Sequence, residues 1–233
     1  MMLGKDLKAV NNKVFIKEIF SSIQGEGPCV GEIQTFLRFC KCNLNCKYCD
    51  TKYKKDRDTK EYSAKELAQK LLHESVSTIS LTGGEPLLDV EFLKEFLPLI
   101  KPQKSVYLET NGTLTNELTS IIEFVDIVSA DIKLESASKQ KNQFEINDEF
   151  ISVAKNKECF VKVVFDEKIT KEEISHVLKI VQKQGVMLVL QPMMKRNKLA
   201  INSDKFFEIF KIFYSVYPKC RLIPQVHKFL KIM

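Results

Sequence analysis

Short apolar segments alternate with helix-forming segments along most of the chain, and this alternation limits the folds that the chain can adopt. Most of the apolar segments are short enough to be buried strands. They lie at residues 14–20, 34–39, 78–82, 105–109, 125–131, 160–165, 186–191 and 221–223. Strands that alternate with helices favour parallel βαβ units with right-handed crossovers. About six such units predict an α/β fold with either one curved sheet or an incomplete barrel of the (β/α)6 type.

Two capping boxes mark helix starts between these strands. Ser63 with Glu66, and Thr170 with Glu173, are spaced so that a hydroxyl and a carboxylate satisfy the first free amides of a helix. The charged segment 135–143 is predicted to be a mobile loop. The predicted helices cover residues 63–73, 90–100, 116–123, 148–155, 170–184 and 203–217.

Composition and charge narrow the class of protein. A chain of 233 residues with 44% hydrophobic residues can bury one sizeable core, so residues 1–233 are expected to form a single domain. An export signal and an apolar run of roughly 18 residues are both missing, so we expect a cytoplasmic protein without a membrane segment. The net charge of +6 is modest and its basic residues are mixed with acids, which weighs against direct nucleic-acid binding.

The cysteine content points to metal binding rather than to disulfides. Seven cysteines are an odd number, and Cys42, Cys46 and Cys49 crowd into eight residues of a loop that follows a predicted strand. A loop can wrap three thiols about one centre. A four-iron cluster normally takes four thiolates, so three would leave one iron open for a ligand.

A structural zinc site is the alternative interpretation of this cysteine cluster. Zinc requires four closed ligands and would have to recruit Cys29 or Cys40, and the chain lacks a second close pair of cysteines. Burial is the expectation for Cys29 and Cys40, and also for Cys159 and Cys220.

The carboxyl ends of the predicted strands are where ligands of such a sheet bind. Gly83 and Gly84 follow the strand 78–82, and two glycines there let the backbone approach a ligand closely. Glu85 could then accept hydrogen bonds from an ammonium group. A Gly-Gly pair by itself is more often a simple turn.

The C-x3-C-x2-C cysteines, followed by a strand that ends in Gly83-Gly84-Glu85-Pro86, resemble the radical S-adenosylmethionine superfamily. The resemblance implies the incomplete barrel of those enzymes and a catalytic [4Fe-4S] cluster on Cys42, Cys46 and Cys49. It also implies S-adenosylmethionine, whose one-electron cleavage yields a 5'-deoxyadenosyl radical that abstracts hydrogen from the substrate. Lys41 stands where many relatives have glycine.

The same resemblance assigns residues at successive strand ends to S-adenosylmethionine. Relatives often have Ser-Pro-Lys where this chain has Ser129-Ala130-Asp131-Ile132-Lys133. The implied contacts with methionine, ribose, carboxylate and adenine are Gly83, Gly84, Glu85, Glu109, Asn111, Ser129, Lys133 and Gln191.

A second resemblance comes from motifs spread over nearly the whole chain. In the loop at residues 24–28, Gln24 and Glu26 carry an amide and a carboxylate that suit an aminopyrimidine edge, although a plain loop is the alternative. With Phe36-Leu37-Arg38-Phe39, the cysteine motif and Gln225-Val226-His227-Lys228, this loop resembles the 7-carboxy-7-deazaguanine synthase family.

That family resemblance implies a carbon-nitrogen lyase. It would contract 6-carboxy-5,6,7,8-tetrahydropterin to 7-carboxy-7-deazaguanine with loss of ammonia, on the route to queuosine-type 7-deazapurines. Arg38 would bind the substrate carboxylate through a bidentate guanidinium, with an ordinary surface ion pair as the alternative. The other implied contacts are Gln24, Glu26, Thr82, His227 and the terminal carboxylate of Met233 for substrate, and Thr51 for Mg2+.

The resemblance also implies a flavodoxin- or ferredoxin-like electron donor and a homodimer. An acidic donor could dock on the basic stretch that contains Lys54, Lys55 and Arg57. The nearest rival function is a glycyl-radical enzyme activase, which shares the cysteine spacing but explains neither Glu26 nor His227. A noncatalytic zinc-binding module is the rival from another class.

Overall fold

The computed structural model describes residues 12–49, 57–195 and 197–232. Its strands are β1 Lys13–Ile23, β2 Ile33–Phe39, β3 Lys60–Ser63, β4 Thr78–Gly83, β5 Ser105–Thr110, β6 Ile127–Asp131, β7 Glu158–Phe165, β8 Met187–Pro192, β9 Met194–Lys195, β10 Lys198–Leu199 and β11 Cys220–Leu222. Its α-helices are α1 Ala64–Leu72, α2 Val90–Ile100, α3 Thr115–Ile121, α4 Glu135–Ser138, α5 Phe144–Ala154, α6 Lys171–Gln184, α7 Ser203–Val216 and α8 Val226–Leu230.

Nine strands form one sheet in the order β11-β8-β7-β6-β5-β4-β2-β1-β3. The pairs from β2 to β11 are parallel, whereas β1 pairs antiparallel with both β2 and β3. Six parallel pairings correspond to the six predicted βα units. In the part of the chain that the structure describes, no pairing joins β11 to β3, so this mostly parallel sheet stays open. The predicted α/β fold is confirmed.

The two faces of the sheet pack against different residues, because successive strand residues point to opposite faces. Leu37, Leu81 and Leu108 belong to the large apolar cluster that joins the sheet to the helices. Their neighbours on the other face include Tyr107 and Phe160, which belong to a separate small cluster. Polar residues of that second face gather at the carboxyl ends of the strands.

Helix boundaries follow the predicted caps. Ser63 and Thr170 both form complete capping boxes, at the starts of α1 and α6. The strand β3, the hairpin β9–β10 and α8 were not predicted, since such short elements carry too few periods of hydrophobic pattern to be recognised. No helix within the described ranges is long and apolar enough to cross a bilayer.

The segment 135–143 differs from its predicted state. Instead of a mobile loop it begins with α4, and α5 starts at Phe144, four residues before the predicted helix. The amide of Ser136 donates to Glu173 Oε1 over 2.9 Å, and the amide of Lys47 donates to the Ser138 carbonyl over 2.8 Å. Their partners Glu173 and Lys47 are distant in sequence, so the charged composition of residues 135–143 could not predict these hydrogen bonds.

Candidate active site

A cavity of about 650 Å³ opens at the carboxyl ends of the parallel strands. Its walls come from the loops after β1, β2, β4, β5, β6 and from the ends of β7 and β8. Most of the predicted site residues line it, whereas Glu85 and Ser129 do not, and Thr51 and Met233 lie outside the described residues. The predicted residues that line the cavity are Gln24, Glu26, Arg38, Cys42, Cys46, Cys49, Thr82, Gly83, Gly84, Glu109, Asn111, Lys133, Gln191 and His227.

The cysteine loop, residues 41–49, forms one wall of this cavity. Its three cysteines are half-buried, and the amide of Cys49 donates to the carbonyl of Cys46 over 3.0 Å. Burial raises the pKa of both Cys42 and Cys46, while the positive charge of Lys133 acts in the opposite direction. The charges of Cys42 and Cys49 also raise the pKa of Cys46, so the three sulfur atoms lie within electrostatic range of one another.

The three cysteines of this loop fit a [4Fe-4S] cluster in their chemistry. Each cysteine of such a cluster binds its own iron, and three thiolates leave the fourth iron open for a ligand. A structural zinc site would need a fourth protein ligand. The donor set therefore fits the cluster.

The turn after β4 packs directly against the main chain that enters the cysteine loop. The amide of Gly84 donates to the carbonyl of Phe39 over 3.0 Å, and the amide of Glu85 donates to that of Lys41 over 2.6 Å. A Cβ atom on Gly84 would lie 1.7 Å from the Lys41 carbonyl oxygen, and Gly83 has a φ of +101°. Only glycines allow this contact, so the two sequence motifs position each other.

Lys41 is also held through its side chain. Its Nζ lies 2.5 Å from Oδ1 of Asp89, whose side chain is 8% exposed. Asp89 precedes α2, so this ion pair ties the start of the cysteine loop to the same β4–α2 connection. The lysine that replaces the common glycine is accommodated by an ion pair at its side chain.

The Glu85 side chain is buried and does not line the cavity, so its contact with an ammonium group stays a prediction. Its carboxylate is fully buried and accepts hydrogen bonds from the Leu87 amide, the Thr110 hydroxyl and the Asn111 amide, at 3.2, 2.9 and 2.7 Å. Burial raises the pKa of Glu85 to about 7, against the effect of these donors. It links the ends of β4 and β5 beneath the site.

Ser129 also does not line the cavity. The side chain is buried and shares a hydrogen bond with the Tyr107 hydroxyl, below the cavity. Ser129 therefore supports the floor of the site, and its contact with the cofactor stays a prediction.

Gln24, Thr82 and Glu109 form one hydrogen-bonded group, although the motifs assign them to different ligands. Gln24 Nε2 donates to Glu109 Oε1 over 3.0 Å and to Gln34 Oε1 over 3.2 Å. Thr82 Oγ1 donates to Glu109 Oε2 over 2.8 Å. The predicted substrate loop and the predicted cofactor strand ends thus belong to one continuous site.

Glu26 is held by two partners from distant parts of the chain. The Lys162 ammonium and Gln225 Nε2 both donate to its carboxylate, the latter over 2.7 Å. Burial by itself would raise the pKa of Glu26, but Lys162 and Gln225 lower it to about 2. Lys162 is not among the site residues predicted from the sequence. A lysine inside the apolar segment 160–165 is the signal that could have identified it, since buried lysines need partners.

Lys133 and Asp131 form a second buried ion pair on the cavity wall. Lys133 Nζ donates to Asp131 Oδ2 over 2.6 Å and lies 5.6 Å from the centroid of the Tyr48 ring. The buried Asp131 Oδ1 and Gln191 Oε1 have no hydrogen-bond partner among the described residues. Buried acceptors without hydrogen-bond partners are costly, so a ligand with donor groups would be complementary to these two oxygens.

Arg38 and His227 close the opposite side of the site. Arg38 Nε donates to Glu18 Oε2 over 2.9 Å, and its guanidinium lies 5.6 Å from the Phe20 ring centroid. The amide of Val226 donates to the Gly25 carbonyl over 2.9 Å, which places α8 against the loop after β1. A Cβ on Gly25 would lie 2.1 Å from His227 Nδ1, so this contact also requires glycine.

Comparisons with known proteins agree with this geometry. The family model of the radical SAM superfamily matches residues 37–186. A 7-carboxy-7-deazaguanine synthase of Geobacter sulfurreducens is 31% identical over 92% of this chain and 96% of its own length. One from Archaeoglobus fulgidus is 32% identical over 91% and 96%. The crystal structure of QueE from Escherichia coli has the same fold, with a TM-score of 0.63 at 18% identity over 92% of this chain and 95% of that one.

Proposed function

Since the chain belongs to the radical SAM superfamily and, within it, to the 7-carboxy-7-deazaguanine synthase family, we propose that it converts 6-carboxy-5,6,7,8-tetrahydropterin into 7-carboxy-7-deazaguanine and ammonia. Its cofactors are a [4Fe-4S] cluster, S-adenosylmethionine and Mg2+. One observation carries the proposal: the cysteine loop and the loop with Gln24 and Glu26 line the same cavity, which has the size of a small-molecule site.

Cys42, Cys46 and Cys49 hold the cluster in this proposal. When bound and reduced, the cluster and S-adenosylmethionine supply the radical that removes a hydrogen atom from C6 of the substrate. The buried oxygens of Asp131 and Gln191 that lack a hydrogen-bond partner among the described residues would accept hydrogen bonds from S-adenosylmethionine. Lys133 forms an ion pair with Asp131 and holds its carboxylate in place.

Glu26 and Arg38 orient the substrate. Glu26 accepts hydrogen bonds from the amino group and the ring N–H of the pterin, and Arg38 binds its carboxylate in exchange for part of its contact with Glu18. Thr82 and His227 supply further contacts at the cavity wall. Two assignments rest on the family resemblance alone, a magnesium contact at Thr51 and a substrate contact of the Met233 carboxylate. Fixing a reactant in this way is a major catalytic term.

The partners follow from the chemistry. The substrate is a small molecule, and the one-electron reduction requires a flavodoxin- or ferredoxin-like donor. The reaction takes place in the cytoplasm, where the cluster thiols stay reduced, and a homodimer is the assembly that we propose. Of the basic stretch considered for donor docking, Arg57 lies within the described residues, whereas Lys54 and Lys55 do not.

Anaerobic turnover tests the proposal. The cluster-loaded protein is reduced and mixed with S-adenosylmethionine, Mg2+ and the carboxypterin, and one ammonia per 7-carboxy-7-deazaguanine is expected by mass spectrometry and ammonia assay. Absence of both products would contradict the assignment. A glycyl radical on an added partner protein would instead support the activase.

Iron and sulfide analysis tests the cluster ligands separately. Cys42→Ala is expected to lose the iron, the sulfide and the brown absorbance, whereas Cys220→Ala, at a buried position in β11, should keep all three. Zinc without sulfide in the wild type would indicate the noncatalytic module.

A further inference from the structure

We propose that Lys162 determines substrate specificity: together with Glu26 it reads the 2-amino-4-oxo edge of the pyrimidine ring. The inference rests on the proposed function and assigns a direct substrate contact to a residue that the motifs leave without a role. The groups involved are the Lys162 ammonium and the Glu26 carboxylate, which line the cavity.

Lys162 lies in the middle of the site, with little access to water. It belongs to β7, lines the cavity and has a side-chain exposure of 7%. Its ammonium contacts the Glu26 carboxylate, and Asp131 Oδ1 lies 3.5 Å away, at ion-pair distance but without a hydrogen bond. A lysine this deeply buried retains its charge only beside carboxylates.

Lys162 and Glu26 can both form further hydrogen bonds. A lysine ammonium has three donors, and one of them is used by Glu26. Each carboxylate oxygen has two lone pairs, and in Glu26 the oxygens accept one bond each, from Lys162 and from Gln225. A ligand that enters the cavity therefore meets two acceptor positions on Glu26 and a donor on Lys162, side by side.

This pattern is complementary to one class of ring edge. A 2-amino-4-oxopyrimidine presents an amino donor, a ring N–H donor and a carbonyl acceptor in a row. The two donors match the Glu26 oxygens, and the carbonyl matches the Lys162 ammonium. A 2-amino-4-thioxopyrimidine keeps the amino donor and the ring N–H donor but presents sulfur, a weak acceptor, at the third position. The Lys162 ammonium would lose most of its hydrogen bond to that position, while both contacts with Glu26 remain, which is how polar sites reject near-isosteres.

A lysine that merely neutralised Glu26 and Asp131 would behave differently. It would affect the binding of both rings equally, because both place the same two donors against Glu26. A difference in affinity caused by the group at the third position therefore distinguishes a specificity role of Lys162 from a role in charge balance alone.

The test is equilibrium dialysis of the cluster-loaded protein with S-adenosylmethionine, at pH 6 and without oxygen, so that both rings keep their N–H group. The probes are 6-carboxypterin and its 4-thioxo analogue, both measured by absorbance in the protein-free chamber. The wild type is expected to bind the oxo compound roughly 100-fold more tightly. Lys162→Met should reduce this ratio to below about tenfold, mainly by weakening the oxo compound, since the lost contact involves its carbonyl. Lys162→Arg, which keeps a charged donor, should preserve most of the ratio.

Lys168→Met is the matched control, since Lys168 is exposed and lies just beyond β7. It should behave as the wild type. Equal affinities of the wild type for the two probes would overturn the specificity role, and this result does not depend on any variant folding. An unchanged ratio in folded Lys162→Met would do the same. If the wild type bound neither probe, the proposed function itself would fail along with the inference.

Discussion

Two carboxylates of this molecule, Glu26 and Glu85, have pKa values shifted in opposite directions. Glu26 has a cation beside it, so the pKa of Glu26 is about 2 in spite of its burial. Glu85 has only neutral donors as close partners, so burial dominates and its pKa is about 7. The nearest partner thus decides the charge state of a buried acid, and neither result follows from the local sequence.

Glu85 predicts a pH dependence of stability. Its pKa in the folded protein is above the ordinary value of 4.5, so its stabilising contribution is complete below about pH 4.5 and is lost as the pH rises towards 7. The wild type should lose about 3 kcal/mol of unfolding free energy relative to Glu85→Gln over this range, and nothing further above it. Urea unfolding at several pH values measures the difference. Parallel curves for the two proteins would refute the prediction.

Neighbouring elements hold the cysteine loop at both of its ends. The turn after β4 contacts the carbonyl of Lys41, and α4 and the residues after it contact its far end. Gln140 Nε2 donates to the Asn45 carbonyl over 3.0 Å, and the amide of Asn45 lies 3.4 Å from Gln140 Oε1. Because Cys42 and Cys46 lie between these contacts and Cys49 follows them, we expect the neighbouring elements to govern how firmly the cluster is retained.

Gly84→Ala tests the contact with the β4 turn. The added methyl would meet backbone atoms that cannot rotate away, so we expect a loss of about 3 kcal/mol in stability and a protein that retains little iron after reconstitution. Gly31→Ala is the control, because Gly31 has a φ of +96° and nothing within 4 Å of the added atom. It should cost about 1 kcal/mol through backbone strain and keep its iron. Equal iron contents in the two variants would argue against the positioning role of Gly84.

The ion pair between Lys41 and Asp89 makes a smaller contribution to the same loop. Lys41 is half exposed, so solvent screening limits the pair to about 1 kcal/mol. Lys41→Met should therefore release iron to a chelator up to about five times faster. The exchanged pair Lys41→Asp with Asp89→Lys should recover part of the loss. If the exchange released iron faster than Lys41→Met, the ion pair could not be the cause.

At the scale of the whole molecule, the site depends on contacts between the two ends of the described chain. Glu26 and Gln225 are separated by 199 residues, yet their side chains share a hydrogen bond. The contact between Val226 and Gly25 brings α8 over the cavity. The substrate side of the site therefore includes residues near the end of the described chain. The turn after β4 and the helix α4, which both hydrogen-bond to the cysteine loop, lie before α5. A single domain over residues 1–233 stays a prediction.

Gly25→Ala should separate these two halves of the site. The methyl group would displace the His227 side chain, so affinity for 6-carboxypterin is expected to fall about tenfold, as for one lost polar contact. The iron content should not change, because Gly25 lies in a different loop from the cysteines. Dialysis and iron analysis on the same preparation measure both, with Gly31→Ala again as control. Loss of iron in Gly25→Ala would show that the halves are not independent.

The sequence by itself determined the parts of this protein that depend on near neighbours in the chain. The spacing of Cys42, Cys46 and Cys49, the capping boxes at Ser63 and Thr170 and the order of strands and helices are all local patterns. They were sufficient to predict the α/β fold and the position of the cysteine loop. Gln24 and Glu26 belong to this class as well, since their loop carries its own motif.

Only the tertiary structure decided which side chains reach the cavity and which charges meet there. Glu85 and Ser129 belong to conspicuous segments but point below the site, whereas Lys162, in an apolar strand, lies at its centre. Ser129 shares its face of the sheet with Asp131 and Lys162 but lies two residues nearer the amino ends of the strands, so its depth and not its face keeps it from the cavity. The charge of a side chain depends on partners from distant segments, which spacing along the chain does not record.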